Sequence, residues 1–264
     1  MLRVPCYVIS DAHLGVTPPA VERNLLRFIE QLHGRAGSLV INGDLFDFWF
    51  AWRRVMPRVG FRVLAALADQ RERGLPIVWL AGNHDCWGAD VLREEVGVEY
   101  HLGEFRGEIG PWRVRIAHGD GLRDREDRGY RWLRRVLRNP AAIRAFRWIH
   151  PDVATRIALG SAHASRTYRA RDNGEGLRQV AIRDLSASPD LDLLIFAHSH
   201  VPALERLPGA GIYGNAGTWM DDTTYLRIDN GGVELLRWSA PGHDDLLVRI
   251  PRSEPAAERL TSAR

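Results

Sequence analysis

The 264-residue chain has two cysteines, no lysine, and no apolar run near the roughly 18 residues that a membrane-spanning helix needs. Cys6 lies in an apolar run and Cys86 eighty residues further on, which excludes a disulfide framework and a thiolate zinc site. Any metal must therefore be held by His, Asp or Asn. The N-terminal MLRVPCYVIS is too short for a secretory leader and lacks a small-residue cleavage site, so the expected compartment is the cytosol. With 45% hydrophobic and 26% charged residues, disorder is excluded as the main theme. All 36 basic residues are arginine, and their placement is uneven. Between Gly121 and Arg171 thirteen arginines face four acids, an excess of nine positive charges that leaves the rest of the chain net acidic by six.

The chain opens on a β-rich apolar run, Val4–Ile9, that ends in Ser-Asp-Ala-His. Val21–His33 has a helical period and a Gly34 stop, Ser38–Ile41 reads as a strand, Phe61–Arg73 as a helix, and Ile77–Leu80 as a third strand. This alternation predicts a layered α/β domain. Further strands are expected at Trp112–Ala117, Leu191–Ala197, Gly211–Gly214, Thr223–Ile228 and Val233–Trp238, giving two sheets packed face to face with helices outside. The basic segment carries no strand pattern. Helices are expected over Gly129–Arg138, with Trp132, Leu133, Val136 and Leu137 on one stripe, over Ala141–Ile149, and from Pro151 onward. The reading is a single domain over residues 1–250, with a cationic amphipathic insertion at about 122–180 and a disordered tail over 251–264.

Five short blocks hold the metal-competent residues, each at the end of a predicted strand: Asp11-Ala12-His13, Gly43-Asp44-Leu45-Phe46-Asp47, Gly82-Asn83-His84-Asp85, His118-Gly119-Asp120 and His198-Ser199-His200. Each block is weak evidence alone; together they supply what two neighbouring divalent ions require, roughly four protein ligands each with one carboxylate shared. Asp11, His13 and His200 suit one ion, Asn83, His118 and His198 the other, with Asp44 as the bridge. Imidazole, carboxylate and amide donors favour manganese, iron or zinc over calcium. Alternation along an extended chain end is expected to point Asp11 and His13 to one side, and His198 and His200 likewise. Glycines beside Asp44, Asn83 and His118 allow close backbone approach.

In order and content these blocks resemble the signature of the calcineurin-like metallophosphoesterases, over residues 11 to 200. Ala117 and Ala197 stand where that family commonly has Gly, and neither contributes a ligand. The resemblance implies a four-layer αββα sandwich with a helical lid, and two divalent transition ions, manganese foremost with iron or zinc as alternatives. Within the superfamily the chain is most similar to UDP-2,3-diacylglucosamine hydrolases of lipid A biosynthesis, through Gly43–Trp49, His118–Leu122, Asp127, Tyr130, Asn139-Pro140 and Ser165-Arg166. That similarity implies attack on a diphosphate, an acylated UDP-sugar lipid as substrate, and peripheral contact with the cytoplasmic face of the inner membrane. It also implies substrate contacts by Asn83, His84, Asp127, Ser165, Arg166, Arg169 and His198. His84, with Asp85 as its orienter, is expected to bind the phosphate or protonate the leaving oxygen. His84 departs from the Arg of many such hydrolases, and arginines must replace the lysines that some use.

Other readings stand beside these. Asp47 either braces the turn after Asp44 or orients a His ligand, and Asp120 reads as structural. His33, His101, His150, His163 and His243 read as surface or packing residues, and Trp49, Trp52, Trp79 and Trp87 as core. The arginine-rich insertion is a solvated face, a surface for an anionic lipid, or a contact for nucleic acid, the last being disfavoured by its apolar stripe. A nucleotide phosphodiesterase or nuclease is the alternative activity. A scaffold without metals conflicts with the presence of all seven ligand candidates.

Overall fold

The computed structural model describes residues 1–123, 127–156, 172–208 and 211–252. Four strands run in parallel in the first sheet: β1 (Cys6–Ile9), β2 (Ser38–Asn42), β3 (Ile77–Leu80) and β4 (Glu99–His101). The second sheet contains β5 (Phe105–Ile109), β6 (Trp112–Ile116), β7 (Leu193–Phe196), β8 (Ala203–Arg206) and β9 (Ile212–Asn215), and its order is β5-β6-β7-β9-β8. The chain then returns to the first sheet as β10 (Thr224–Ile228), β11 (Gly232–Ala240) and β12 (His243–Pro251), giving the order β12-β11-β10-β1-β2-β3-β4. Both sheets are mixed.

Period-two alternation builds the layers. Cys6, Val8, Val40, Val78 and Leu80 point inward and meet Val114, Ile116, Leu193, Ile195 and Ile212 of the second sheet. Their neighbours Ile9, Leu39, Ile41, Ile77 and Trp79 point outward into a second core, against Leu25, Phe28 and Ile29 of α1 (Pro19–Gln31) and Val63 and Leu67 of α2 (Phe61–Glu72). Strands buried on both faces read as continuous apolar runs, which is how they appear in the sequence. Three short helices follow on this side and in the insertion: α3 (Ala89–Glu94), then α4 (Arg128–Leu137) with α5 (Pro140–Phe146). Asn139 caps α5 by accepting from the N–H groups of Ala141 and Ala142, and Pro140 opens its first turn. The last helix, α6 (Glu175–Ser186), covers the outer face of the second sheet with Leu177, Val180, Ala181 and Leu185. The architecture is therefore αββα.

Several expectations change. β4, β5, β8, β12 and α3 carried no usable sequence signal; β4 has three residues, and most of β12 is exposed on both faces, so neither alternates clearly. The insertion's expected end at about residue 180 falls inside α6, which is a helix of the body because its apolar face is core. Pro251 closes β12 by pairing with Gly232, and the remainder of the expected tail from residue 253 lies outside the described residues. Residues 151–156 are helical, as Pro151 suggested. The stripe on α4 does not pack inward: Trp132, Leu133 and Val136 are exposed, Trp132 to 67%. α5 docks instead, with Ile143 and Phe146 against Phe48, Phe50 and Trp52.

Candidate metal centre

Parallel strands bring their C-terminal ends to one edge, and open α/β sheets bind ligands there. β1, β2 and β3 deliver Asp11, Asp44 and His84 to that edge, while β6 and β7 deliver His118 and His198 from the facing sheet. The backbone does not stay extended as it leaves the strands. Asp11, His13, Asp44, His198 and His200 all have positive φ, between 44° and 64°. The expected alternation is thus corrected: left-handed turns, not a continued pleat, aim each pair of ligands. Such conformations cost of order 1 kcal/mol or more per non-glycine residue and collect where surrounding contacts enforce them. Here the N–H groups of Asp11 and His13 donate to the carbonyls of Gly43 and Asp44 at 3.1 Å, and the N–H of His198 donates to Asp11 Oδ2 at 3.2 Å. Gly43, at φ 81°, packs so tightly that a Cβ there would lie 2.5 Å from His118 Nδ1; at Gly82 a Cβ would strike Asp44.

Three donor groups converge: Asp11 with His13 and His200, His13 with Asp44 and His84, and Asp44 with His118 and His198. Asp44 belongs to two of them, as a bridge must. His13 Nε2 and His200 Nε2 face each other at 3.2 Å, His200 Nε2 is 3.2 Å from Asp11 Oδ1, and His118 Nε2 is 3.2 Å from Asp44 Oδ2. Donors held ~2.1 Å from one ion, at right-angled to tetrahedral angles, lie ~3.0–3.4 Å from one another. The observed spacings fit two shared ions. Asp11 Oδ1 and His118 Nε2 are buried without a hydrogen bond among the described residues, and each makes one of these 3.2 Å approaches. Asn83 is half-buried on the same turn, between Gly82 and His84, whose N–H donates to Asp44 Oδ1 at 2.9 Å.

The electrostatics agree. Burial alone would raise the carboxyl of Asp44, but the imidazoles of His118, His84 and His13 hold it well below the usual carboxylate range. Burial likewise opposes ionisation of Asp11, and His200 outweighs it. Burial alone would depress His118, but the Asp44 and Asp11 carboxylates push it up to about 10. Ionised acids that draw His118 toward the cationic form mark a pocket short of positive charge, which divalent cations would supply.

Residues 4–202 match the family model for calcineurin-like phosphoesterase. The chain belongs to that family. A UDP-2,3-diacylglucosamine hydrolase from Porphyromonas gingivalis is 32% identical over 76% of this chain and 84% of its own length. One from Yersinia pestis is 28% identical over 86% of this chain and 96% of its own. Among solved structures, a dimetal phosphatase from Danio rerio overlaps 94% of this chain and 98% of its own, with 11% identity and a TM-score of 0.49.

Contacts behind the ligands determine what each residue of this phosphoesterase does. Asp47 Oδ1 sits 3.3 Å from His13 Nδ1, and its backbone carbonyl is 2.6 Å from His84 Nδ1, so Asp47 orients both rings. The approach of its carboxylate to His13 favours the second of its two readings. Asp85 does not stand behind His84 as expected; its two oxygens accept the N–H groups of Leu45 and Gly82 at 2.9 Å, tying the Asp44 and Asn83 turns together. Burial and then the charge of Asp44 push Asp85 up to about 7. The carbonyl of Asn42, 2.7 Å from His118 Nδ1, turns Nε2 toward Asp44. No sequence signal marks a backbone oxygen.

Two further polar residues were missed. Asn215 donates to the carbonyl of Ala197 and to Ser199 Oγ, and Thr218 donates to the carbonyl of Asp11 at 2.7 Å, so the end of β9 braces the first and last blocks. Their Asn-Ala-Gly-Thr stretch at a strand end was the available clue. Asp120 is structural, holding α4 through Tyr130 at 2.9 Å and Arg134 at 3.0 Å.

Asp127, the implied substrate contact among the described residues of the insertion, has an internal partner. It is buried and its carboxylate is engaged by the backbone N–H and guanidinium of Arg123, so it shapes the start of α4. Ser165, Arg166, Arg169 and His163 lie outside the described residues. His33, His150 and His243 are exposed and His101 is part-buried, while Trp49 and Trp79 are core. Asp47→Ala is expected to weaken metal binding about 10- to 100-fold by releasing His13, while the backbone carbonyl behind His84 stays in place; competition with a chelator during metal titration measures it, and unchanged affinity would remove its orienting role.

Proposed function

We propose that this phosphoesterase hydrolyses the diphosphate of UDP-2,3-diacylglucosamine to UMP and 2,3-diacylglucosamine 1-phosphate, a step of lipid A biosynthesis. The observation that carries the reading is the cover beside the metal centre. The chain runs without a break from Asp44 into the aromatic side chains of Phe48, Phe50 and Trp52, and on these sit Ile143 and Phe146 of α5 with Ile149 and Ala154, all from the cationic, apolar insertion. Acyl chains need such an apolar bed next to a diphosphate site, and a nuclease groove does not. The curated relatives that carry the same substrate in their names support it.

Asp11, His13 and His200 hold one ion and Asn83, His118 and His198 the other, with Asp44 between them; manganese suits this donor set best, ahead of iron or zinc. When bound, such a pair lowers the pKa of a water and neutralises charge on phosphoryl oxygens. The side chains do the positioning. His84 donates through Nδ1 to the carbonyl of Asp47, which leaves Nε2 to hydrogen-bond a phosphoryl oxygen or the leaving UMP oxygen. Asn83 and His198 contact the same phosphoryl group, and arginines of the insertion, Arg166 and Arg169 among them, grip the diphosphate. Among the described residues no helix is long and apolar enough to cross a membrane. The lipid is reached by peripheral contact at the cytoplasmic face of the inner membrane.

The test compares UMP release from the diacylated substrate with turnover of a UDP-sugar lacking acyl chains and of short oligonucleotides, all with added manganese. Selective turnover of the diacylated compound is expected. Equal rates on the deacylated compound would remove the role of the apolar bed, and preferred cleavage of the oligonucleotide would replace the reading with a nuclease.

A further inference from the structure

The insertion is not the only basic, apolar surface. After Trp52 the chain leaves the aromatic bed and runs exposed into α2. Over residues 48–68 it contains no acid, yet it carries Arg53, Arg54, Arg58 and Arg62. All four are exposed, and no ion pair holds them among the described residues. Set among them are large apolar side chains that also face water: Val55 at 52%, Met56, and Phe61 at 57%. A solvated charged face has no use for these.

Tertiary contact enlarges the patch. The Trp52 indole N–H donates to the carbonyl of Ile149 at 3.2 Å, and the Trp52 backbone N–H donates to the carbonyl of Val55 at 2.9 Å. Trp148, 89% exposed, precedes Ile149 and so stands on the segment that the first of these bonds ties to Trp52, more than ninety residues away in sequence. A groove of about 410 Å³ opens between Met56, Pro57, Arg58, Phe61 and Arg62; Glu22 of α1 is the one acid among its lining residues.

We infer that residues 53–62, together with Trp148, form the surface by which this protein docks on an anionic phospholipid bilayer. Charge complementarity and exposed aromatic and aliphatic tips in one patch are what an interfacial segment requires: arginines attract the anionic leaflet while the apolar tips enter the boundary with the acyl chains. The same stretch begins at the metal-centre loop, so docking here sets the catalytic edge beside the membrane. The inference rests on the proposed lipid substrate for its purpose, not for its test.

That test is cosedimentation of the full chain with substrate-free vesicles, either phosphatidylcholine alone or phosphatidylcholine with 30% phosphatidylglycerol. Binding to the anionic vesicles is expected, weakened by salt. An arginine near an anionic leaflet contributes about fivefold in partitioning, so Arg53→Ala with Arg54→Ala should lower it about 25-fold. Phe61→Ser is a second, independent variant expected to lower binding at unchanged charge. Melting temperature and manganese-dependent hydrolysis of bis(p-nitrophenyl) phosphate should stay at wild-type values in both. Equal binding to neutral vesicles, or wild-type binding by both variants, would overturn the inference. So would a gel shift with a single-stranded oligonucleotide that the arginine variant abolishes while vesicle binding is absent. Because the vesicles contain no substrate, failure of the proposed activity leaves this result unaffected.

Discussion

Asp44→Asn is expected to reduce kcat/KM on the order of 1,000-fold, several kcal/mol of transition-state stabilisation, and to lower the bound metal per chain. Asp44 is fully buried and stands in two donor groups, with Oδ2 3.2 Å from His118 Nε2 and 3.9 Å from His13 Nε2. Asparagine tolerates the positive φ of 52° at this position and keeps the shape of the side chain, so the loss isolates the charge. Asp44→Ala adds backbone strain and also leaves the His84 N–H without its acceptor, so it should lower thermal stability as well. Metal analysis and steady-state kinetics check the prediction together. Full activity with two ions bound in Asp44→Asn would end the bridging assignment.

His84→Ala is expected to keep the metal and lose 100- to 10,000-fold in rate, the usual contribution of a positioned proton donor. His84 lies within the group formed by His13 and Asp44, and its ring meets His13 edge-on at 5.0 Å between centroids. A nitrogen so placed could serve as a ligand instead, and metal stoichiometry separates the two roles. Two ions retained with a large fall in kcat identify a group acting on substrate. Loss of an ion would make His84 a ligand and leave the leaving oxygen without a side-chain acid.

Which residues could hold metal was legible because ligand types are chemically scarce and were grouped at strand ends. The five blocks were found from residue type and order alone. How they aim was not legible. Asp11, His13, Asp44, His198 and His200 lie in left-handed turns that no local pattern announced, and the expected pleat would have pointed them differently. Asp85 shows the same limit. In sequence it adjoins His84 and reads as its partner, yet its carboxylate crosses to Leu45, forty residues away, and the carbonyl behind His84 is that of Asp47. Hydrogen-bond partners are set by distance in space, and adjacency in sequence is a poor guide to it.

The insertion was legible in composition but not in orientation. Its arginines and apolar stripe were visible, but α4 turns Trp132 and Val136 to solvent while α5 takes the docking role through Ile143 and Phe146. The second basic surface was missed because it pairs residues 53–62 with Trp148, on segments that the Trp52 to Ile149 hydrogen bond and the packing of Phe146 on Phe50 tie together.

By itself the sequence determined the layered α/β class, the donor set and the absence of thiolate chemistry, since these depend on periodicity and residue type, which are local properties. The tertiary structure alone decided that the Asp44 carboxylate stands in two donor groups, that Asp47 lies behind His13 and His84, that β9 braces the first and last blocks, and where the apolar and cationic side chains collect. These depend on parallel strands from two sheets ending at one edge, where groups up to two hundred residues apart come within about 3 Å, the range over which hydrogen bonding and metal coordination act.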